Sequence, residues 1–354
     1  MICDECVAAD ASSVPHLTAP HGCQNNNSMA RPDLLQFHQW CTELDEALTQ
    51  LPAPPGWPRT LYPGLARIAA KHARVRTYLS VDAQGQPEAL VTLMSSPRGV
   101  WEPITQWIVP GFVGIARPGT LESLLARLPV PSRIVWWRMG LPPPQLGYIR
   151  RIKSETTYAM HLASDYETHW RQGRFHQTVN RARRRCANFD FTVNAPGAAE
   201  YTIRGAATQW SAEDPQSPFQ TECRLLLASL IEPEGRHFAF TLMDGEKIVA
   251  ASTACIVQKD LVGLATMRDR HYQQFDAGTH LIDRIAQWGR ERGFESLDLG
   301  GSHDYKQQWG PASGTKSKLY TYPPLSYATH RVTQAVLDAC RAGVSVARRL
   351  RSSS

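Results

Sequence analysis

Four titratable residues that could transfer a proton lie close together in the segment LDLGGSHDYKQQWGP at 297–311. They are Asp298, His303, Asp304 and Lys306. A side chain of this kind can accept a proton from a reacting group, and the pair Gly300-Gly301 would leave room for that group. His303 has the intrinsic pKa best suited to neutral pH. The structural alternatives are a hydrogen-bonded buried acid at Asp298 and an ion pair from Lys306 to Asp298 or Asp304.

A second candidate site is the loop QQFDAGT at 273–279, which leads into a helical pattern. Unpaired backbone N–H groups and the helix dipole favour a phosphate at such a helix start, and Gly278 lets the backbone approach it closely. The predicted phosphate ligands are therefore Gln274, Gly278 and Thr279. Asp276 opposes this interpretation, because its carboxylate would repel a phosphate.

The elements that must position these residues have clear sequence patterns. Residues 237–257 predict two strands around Asp244-Gly245, a strong hairpin signal. A strand at 261–269, an amphipathic helix at 279–292 and a strand at 294–301 follow. We expect the last two strands to be neighbours that splay apart, which would leave a slot for an extended cofactor arm. We also expect residues 236–321 to form one continuous sheet unit with the helix on one face.

The other segments have weaker patterns. They predict one helix over 32–51, two strands joined at AQGQP over 76–94, and a short helix over 120–128. Strand-like runs occur at 107–116, 133–139, 158–163 and 189–194. Further helices are predicted over about 165–188, 197–211, 219–231 and 327–350.

Positive charge is concentrated in two segments. One is the predicted helix at 165–188 and the other is the C-terminal tail. Their arginines are Arg174, Arg181, Arg183, Arg184 and Arg185 in the helix, and Arg341, Arg348, Arg349 and Arg351 in the tail. A net charge of +6 favours anionic ligands only mildly. The helix arginines are therefore either a solvated or structural face or a surface for an anionic acceptor or carrier.

The N-terminal segment contains Cys3, Cys6, His16, His21 and Cys23. Cys3 and Cys6 have the CxxC spacing of zinc ligands, but the second pair is irregular and apolar residues are few. We therefore predict a disordered extension over 1–30 without a metal site, and Met29 is an alternative start. The sequence has no run of 18 apolar residues and no secretory signal, which predicts a cytoplasmic chain without a membrane span.

Three segments resemble the GNAT acyltransferases, and within them the branch that groups cellulose-biosynthesis-type acetyltransferases with FemAB-like aminoacyltransferases. They are MDGEKIVAAS (243–252), HYQQFDAGTHLIDRIAQWGRERG (271–293) and LDLGGSHDYKQQWGP (297–311). The arginine-rich segment FHQTVNRARRRC also resembles the helix that opens the domain in that branch. The resemblance implies an α/β (α+β) fold with a GNAT-like mixed sheet flanked by helices.

The resemblance also divides the chain. It covers about 166–325, which we predict to be the GNAT acyltransferase domain. Residues 31–165 are expected to be a degenerate GNAT-like or accessory lobe, since FemAB-like proteins have two lobes. Residues 326–354 would form a basic C-terminal helix and tail.

The implied activity is transfer of an acyl group from acetyl-CoA or another acyl-CoA to an amine or hydroxyl on a small-molecule or carrier-bound acceptor. No Cys-His or Ser-His-Asp arrangement occurs at a recognised spacing, so we expect direct attack without a covalent enzyme intermediate. Backbone groups of Ala265, Thr266 and Met267 are the predicted donors to the oxyanion. Asp298 and Lys306 match the branch's motif, whereas His303 is not an expected part of it.

The sequence departs from the family pattern at the phosphate loop. GNAT enzymes commonly have Arg/Gln-x-x-Gly-x-Gly/Ala there, and this chain keeps only Gly278, with Gln274 as a candidate for the first position. Two alternatives therefore stay open. One is a FemAB-like aminoacyltransferase that takes its donor group from aminoacyl-tRNA, and the other is a non-catalytic GNAT-fold binding module.

Overall fold

Strand β7 (Ile149–His161) joins the two halves of the molecule. In this computed structural model its first part pairs with β13 (Ala312–Thr321), and its last three residues pair with β12 (Ser296–Asp298). Two mixed sheets therefore share one strand and are flanked by helices. The structure describes residues 33–52, 57–96, 99–105, 108, 113–138, 149–162, 167–171, 173–210, 217–299 and 304–321.

The remaining strands complete the two sheets. In chain order they are β1 (Leu34–Phe37), β2 (Val75–Val81), β3 (Pro87–Ser95), β4 (Trp101–Pro103), β5 (Ile115–Ala116), β6 (Ser132–Arg138), β8 (Asp190–Val193), β9 (His237–Asp244), β10 (Lys247–Val257) and β11 (Asp260–Arg268). The strand order is β1-β2-β3-β4-β6-β13-β7-β12-β11-β10-β9-β8, and β5 pairs with β3. The pairs β4–β6 and β11–β12 are parallel, and the other described pairs are antiparallel.

Helices cover both faces of the second sheet, which contains β12, β11, β10, β9 and β8. The helices are α1 (Thr42–Gln50), α2 (Leu61–His72), α3 (Leu121–Arg127), α4 (Thr168–Arg171), α5 (Phe175–Arg185), α6 (Ala198–Trp210), α7 (Ser217–Ile231) and α8 (Ala277–Glu291), with 3₁₀ helices at Arg270–Phe275 and Asp304–Gln308. Apolar residues of α5 and α8 pack on one face of the sheet, and those of α6 pack on the other. Helix α7 also packs against α2, so one apolar core extends across both halves. Among the described helices, none combines the length and apolarity needed to span a lipid bilayer.

The local predictions around the candidate site are confirmed. The hairpin at Asp244-Gly245 forms from β9 and β10, and Gly245 has a φ of 60°. Strands β11 and β12 are neighbours, and α8 lies between them in sequence. The strand predicted at 294–301 is shorter than expected, because only Ser296–Asp298 pair as a strand.

Four predictions made from the sequence are corrected by the structure. The helix predicted over 32–51 begins only at Thr42, since Leu34–Phe37 pair with β2 as an edge strand. The helix predicted over 165–188 is α4 followed by α5, and the strand predicted at 158–163 is the end of the longer β7. The sheet over 236–321 is not continuous, because β7 lies between β12 and β13. Residues 1–30, the helix predicted at 327–350 and part of 107–116 lie outside the described residues.

The chain after the second 3₁₀ helix is fixed tightly against β7. The Trp309 ring is buried and makes edge contacts with Phe175, at 4.9 Å between centroids, and with Trp170, at 6.4 Å. Gly310 lies so close to β7 that an added Cβ would be 2.0 Å from the backbone oxygen of Ala159. The pair Trp309-Gly310 therefore sets the position of the 3₁₀ helix that carries Lys306.

We expect Gly310→Ala to destabilise the fold by about 3 kcal/mol, because the added methyl group would overlap a backbone oxygen that cannot move freely. Urea unfolding would measure the loss. Gly173→Ala is the matched control: its Cβ would lie 3.9 Å from the backbone oxygen of Trp170, an ordinary contact distance, so its free energy of unfolding should stay within about 0.5 kcal/mol of the wild type. Equal stability of the two variants would contradict the close approach.

Burial of His237 predicts a loss of stability in acid. Its ring lies in the core, neither ring nitrogen has a hydrogen-bond partner among the described residues, and burial lowers its pKa to about 4. Between pH 6.5 and pH 4, His237 binds a proton in the unfolded chain but not in the folded chain. Stability should therefore fall as the pH drops from about 6.5 to about 4, by up to about 3 kcal/mol.

His237→Leu removes the titrating group, so this variant should lose less stability than the wild type over the same pH range. Thermal unfolding at a series of pH values would measure the difference. His38→Gln changes an exposed histidine and should follow the wild-type curve. Parallel curves for the wild type and the leucine variant would refute the assignment.

Candidate functional site

Strands β11 and β12 part after a short parallel contact. Only Asp260–Val262 of β11 pair with β12, and residues 263–268 extend beyond the end of that pairing. A β-bulge lies just past this point, where the register with β10 shifts between Gly263 and Ala265. Gly263 itself lies beside β12, since an added Cβ would be 3.4 Å from the backbone oxygen of Asp298. Beyond Val262 no described strand pairs with this edge of β11. We call this unpaired edge the slot, and its splayed shape stays a prediction of the sequence.

Alternate backbone groups of β11 face the slot. The N–H of Asp269 donates to Val249 on β10 at 2.9 Å, whereas the N–H of Arg268 donates to the side-chain oxygen of Gln209 on α6 at 3.2 Å. Because successive residues of a strand point their N–H groups to opposite edges, the N–H of Thr266 also faces away from β10.

The backbone N–H groups of the three predicted oxyanion donors therefore do not all point to the same edge of β11. By the same alternation, the N–H groups of Ala265 and Met267 point towards β10 and only that of Thr266 points towards the slot. The Ser252 hydroxyl on β10 donates to the Ala265 carbonyl at 3.1 Å, which agrees with this orientation. Gln209 was missed at the sequence level, because nothing in α6 marks which residue reaches the strand edge.

The loop between β11 and α8 is a capped 3₁₀ helix. The Asp269 carboxylate accepts a hydrogen bond from the N–H of His271 at 2.8 Å at its start. Asp276 ends it in the left-handed conformation, with φ 58° and ψ 34°. Glycine adopts this conformation without strain, so Asp276 stands where the family pattern has its first glycine. On the spacing Gln273-x-x-Asp276-x-Gly278, Gln273 is a candidate for the first position beside the predicted Gln274, and both stay predictions.

The first turn of α8 lacks the usual side-chain cap. Asp276 is the N-cap residue, yet its carboxylate makes no capping hydrogen bond and instead accepts from Arg181 Nε at 2.8 Å. The N–H groups of Thr279 and His280 donate to the backbone oxygen of Asp276, at 2.9 and 3.2 Å. The N–H groups of Ala277 and Gly278 make no such contact among the described residues, so they are free to receive an anion.

Gly278 leaves space for a side chain beside the first turn of α8. A Cβ at this position would lie 2.6 Å from Cδ of Arg268, so the missing side chain lets Arg268 lie against the first turn of α8. Arg268 also lies near Tyr305. The pKa of this tyrosine is raised overall, because burial raises it more than the charge of Arg268 lowers it. A positive side chain is thus added to the positive end of the helix. Thr279, the third predicted phosphate ligand, follows directly.

Two predicted proton-transfer residues are buried at the other side of the slot. Asp298 and Lys306 are 3% and 7% exposed, and Lys306 Nζ donates to the backbone oxygen of Leu299. This bond holds the chain just after β12. Asp298 lies near Cys255, since burial and then, to a smaller extent, the Asp298 charge raise the pKa of that thiol to about 12.

The remaining predicted residues of this segment are only partly described. Asp304 is the first residue of the 3₁₀ helix Asp304–Gln308, and its side chain lies outside the described part of the structure. Gly300, Gly301 and His303 lie outside it entirely.

Three buried cysteines, Cys186, Cys223 and Cys255, are poor nucleophiles at neutral pH. Burial raises the pKa of Cys186 to about 11 and that of Cys255 to about 12, and it raises the pKa of Cys223 as well. The described residues also contain no group of three or more His, Cys, Asp or Glu side chains that could hold a metal ion.

A comparison with known proteins finds a family model that matches part of the chain. Residues 173–307 match a family model described as an acetyltransferase (GNAT) domain. This match covers the slot, the loop, α8 and Lys306, but less than half of the chain. No curated protein matches the sequence.

Solved structures extend the similarity over both halves. L-PGS from Bacillus licheniformis has 11% sequence identity and a TM-score of 0.50, covering 85% of this chain and 97% of that one. A tandem GNAT protein from the clavulanic acid biosynthesis pathway has 10% identity and a TM-score of 0.47, covering 81% and 98%. FemX has 10% identity and a TM-score of 0.43, covering 80% and 96%. The chain has a GNAT-type mixed α/β fold, and its residues 173–307 match the model of a GNAT acetyltransferase domain.

Proposed function

We propose that this chain transfers an acyl group from acetyl-CoA or another acyl-CoA to an amine or hydroxyl acceptor. The observation that supports the proposal is that the pairing of β11 with β12 ends at Val262, so this edge of β11 runs without a described strand partner to the loop before α8. A thioester with a long amide-containing arm and a pyrophosphate has the shape and polarity for such a path.

The residues at the end of this path fit the pyrophosphate. The N–H groups of Ala277 and Gly278 have no acceptor among the described contacts, and the glycine leaves space beside Arg268. Donors at a helix start and a nearby guanidinium favour bound phosphate oxygens. Gln273 and Thr279 are further ligands on this view, together with the predicted Gln274.

The chemistry that these residues support is direct transfer. An acyl-CoA, when bound, supplies the acyl carbon and the sulfur leaving group. The acceptor attacks that carbon, and the N–H of Thr266 donates a hydrogen bond to the oxygen that gains negative charge. The C–S bond then breaks, and the acceptor's proton passes to a base. Holding the two reactants in line can contribute about 7–11 kcal/mol.

Asp298 and Lys306 are our first candidates for handling the acceptor's proton, with His303 and Asp304 next. Asp298 ends the strand that borders the slot, and Lys306 is held at the following backbone by its bond to Leu299. A buried acid and a buried lysine so near the slot are suited to proton transfer. The structural alternative is that both residues only fix the end of β12.

The exposed side of α5 favours a second candidate donor, aminoacyl-tRNA. Arg174, Arg181, Arg184 and Arg185 are exposed on this helix next to the phosphate loop. Such a face would bind the phosphate backbone of an RNA, with an affinity that falls steeply with salt. Filter binding of tRNA over a salt series separates the two donors, because the affinity for tRNA should fall with salt much more steeply than the affinity for acetyl-CoA.

We expect Gly278→Ala to weaken acetyl-CoA binding about tenfold, because its Cβ would displace Arg268 from the first turn of α8. Gly278→Pro should weaken binding further, since it also removes the backbone N–H, while proline is tolerated in the first turn of a helix. Titration calorimetry would measure both affinities, and thermal unfolding would verify the fold. Unchanged affinity in a folded Gly278→Pro variant would exclude this phosphate site.

Substitution of the proton-transfer candidates separates catalysis from structure. Asp298→Asn, Lys306→Met or His303→Gln should each lower turnover at least tenfold, about 1.4 kcal/mol, if the residue handles the proton. The melting temperature and the affinity for acetyl-CoA should change little. If every loss of activity follows a loss of melting temperature, these residues fix the end of β12 and the base lies elsewhere.

A further inference from the structure

Asp276 is an acid at the point where the proposed site needs an anion to bind. It has the left-handed conformation of a glycine position and is the N-cap residue of α8. An aspartate at an N-cap usually accepts hydrogen bonds from the first turn of its own helix, which would occupy those donors. Its charge would also oppose a phosphate there.

The carboxylate is nevertheless turned away from the helix. It accepts from Arg181 Nε at 2.8 Å and lies 3.6 Å from the guanidinium of Arg185. These two arginines are four residues apart on α5, so they share one helix face. The cap hydrogen bond that the aspartate could make to α8 is absent from its described contacts.

The end of α5 is docked on the same loop, which keeps both arginines in place. Arg185 also donates to the backbone oxygen of Gln274, and the Cys186 thiol donates to that of Phe275 at 3.3 Å. Arg183, on another face of α5, makes a bidentate ion pair with the buried Asp283 of α8, at 2.8 and 2.7 Å. The arginine pair therefore has a fixed position relative to the start of α8.

We propose that Arg181 and Arg185 are positioning residues that hold the Asp276 carboxylate away from the α8 N-terminus and so make that turn available to a phosphate. This inference rests on the proposed function for the identity of the phosphate, which belongs to the acyl-CoA donor. The arginines then act through Asp276, and they compensate for the acid that replaces a glycine of the family pattern.

A double-mutant cycle tests this role directly. Removing both arginines, by Arg181→Gln and Arg185→Gln, should free the carboxylate to cap α8 and repel phosphate, so CoA affinity should fall at least tenfold. Asp276→Gly should bind CoA as tightly as the wild type or more tightly. In the triple variant the arginine substitutions should have almost no effect, because no carboxylate is left to hold.

The controls separate charge, folding and direct contact. Arg184→Gln removes one charge from an exposed position of the same helix, as Arg181→Gln alone does, and should leave affinity within about twofold. Pantetheine, which lacks phosphates, should bind equally to all variants. If the double variant does not fold, Arg181→Gln alone is combined with Asp276→Gly. A triple variant as weak as the arginine double variant overturns the proposal, since the arginines would then contact the phosphate themselves.

Inorganic pyrophosphate is a second probe that distinguishes this proposal from the proposed function. A wild-type chain that binds pyrophosphate but not CoA contradicts the proposed donor, while the arginine effect is still measured with pyrophosphate. Calorimetry in which the wild type binds neither probe overturns both proposals.

Discussion

The structure depends on how the backbone groups at the unpaired edge of β11 find hydrogen-bond partners. A strand that leaves its neighbour keeps a row of backbone N–H and C=O groups that still need partners. In this chain the edge beyond Val262 is used in two ways: Gln209 of α6 accepts from Arg268, and the N–H of Thr266 faces the slot. A second strand along this edge would fill it with ladder hydrogen bonds and leave no room for a ligand arm.

The packing around the slot keeps the two strands apart. Helix α8 and α5 cover one face of the sheet and α6 covers the other, so β11 is held from both sides. On the far side, Lys306 binds the backbone after β12, and Trp309 and Gly310 fix the following segment against β7. Close packing on both sides thus leaves the ends of β11 and β12 little freedom to shift.

Sequence patterns predicted the parts of the fold that local interactions decide. The β9–β10 hairpin depends on its two turn residues, and α8 depends on its own apolar stripe, so both were found with nearly correct limits. Strand β1 was misread as helix because Leu34, Leu35 and Phe37 fit either period, and only its pairing with β2 decides between them. The insertion of β13 between β6 and β7 is equally non-local.

The candidate site was predictable in its residue types but not in its geometry. Gly278 was named from its place before a helical pattern, and Asp298 and Lys306 from the motif that the chain shares with the resembled branch, and their roles stay predictions. The left-handed backbone of Asp276 and its bond to Arg181, 95 residues earlier, depend on how α5 docks on the loop. Whether Ala265, Thr266 or Met267 faces the slot depends on the β-bulge in β11, and no local signal marks that shift of register.

The shared strand β7 has a consequence for how the molecule acquires its structure. Strand β13 lies between β6 and β7, so the first sheet lacks a central member until residues 312–321 have been synthesised. Contacts of such large sequence separation slow folding, because a long loop must close before they form. During translation the N-terminal half would therefore leave the edges of β6 and β7 unpaired, and the two halves should fold in one late, concerted step instead of one after the other.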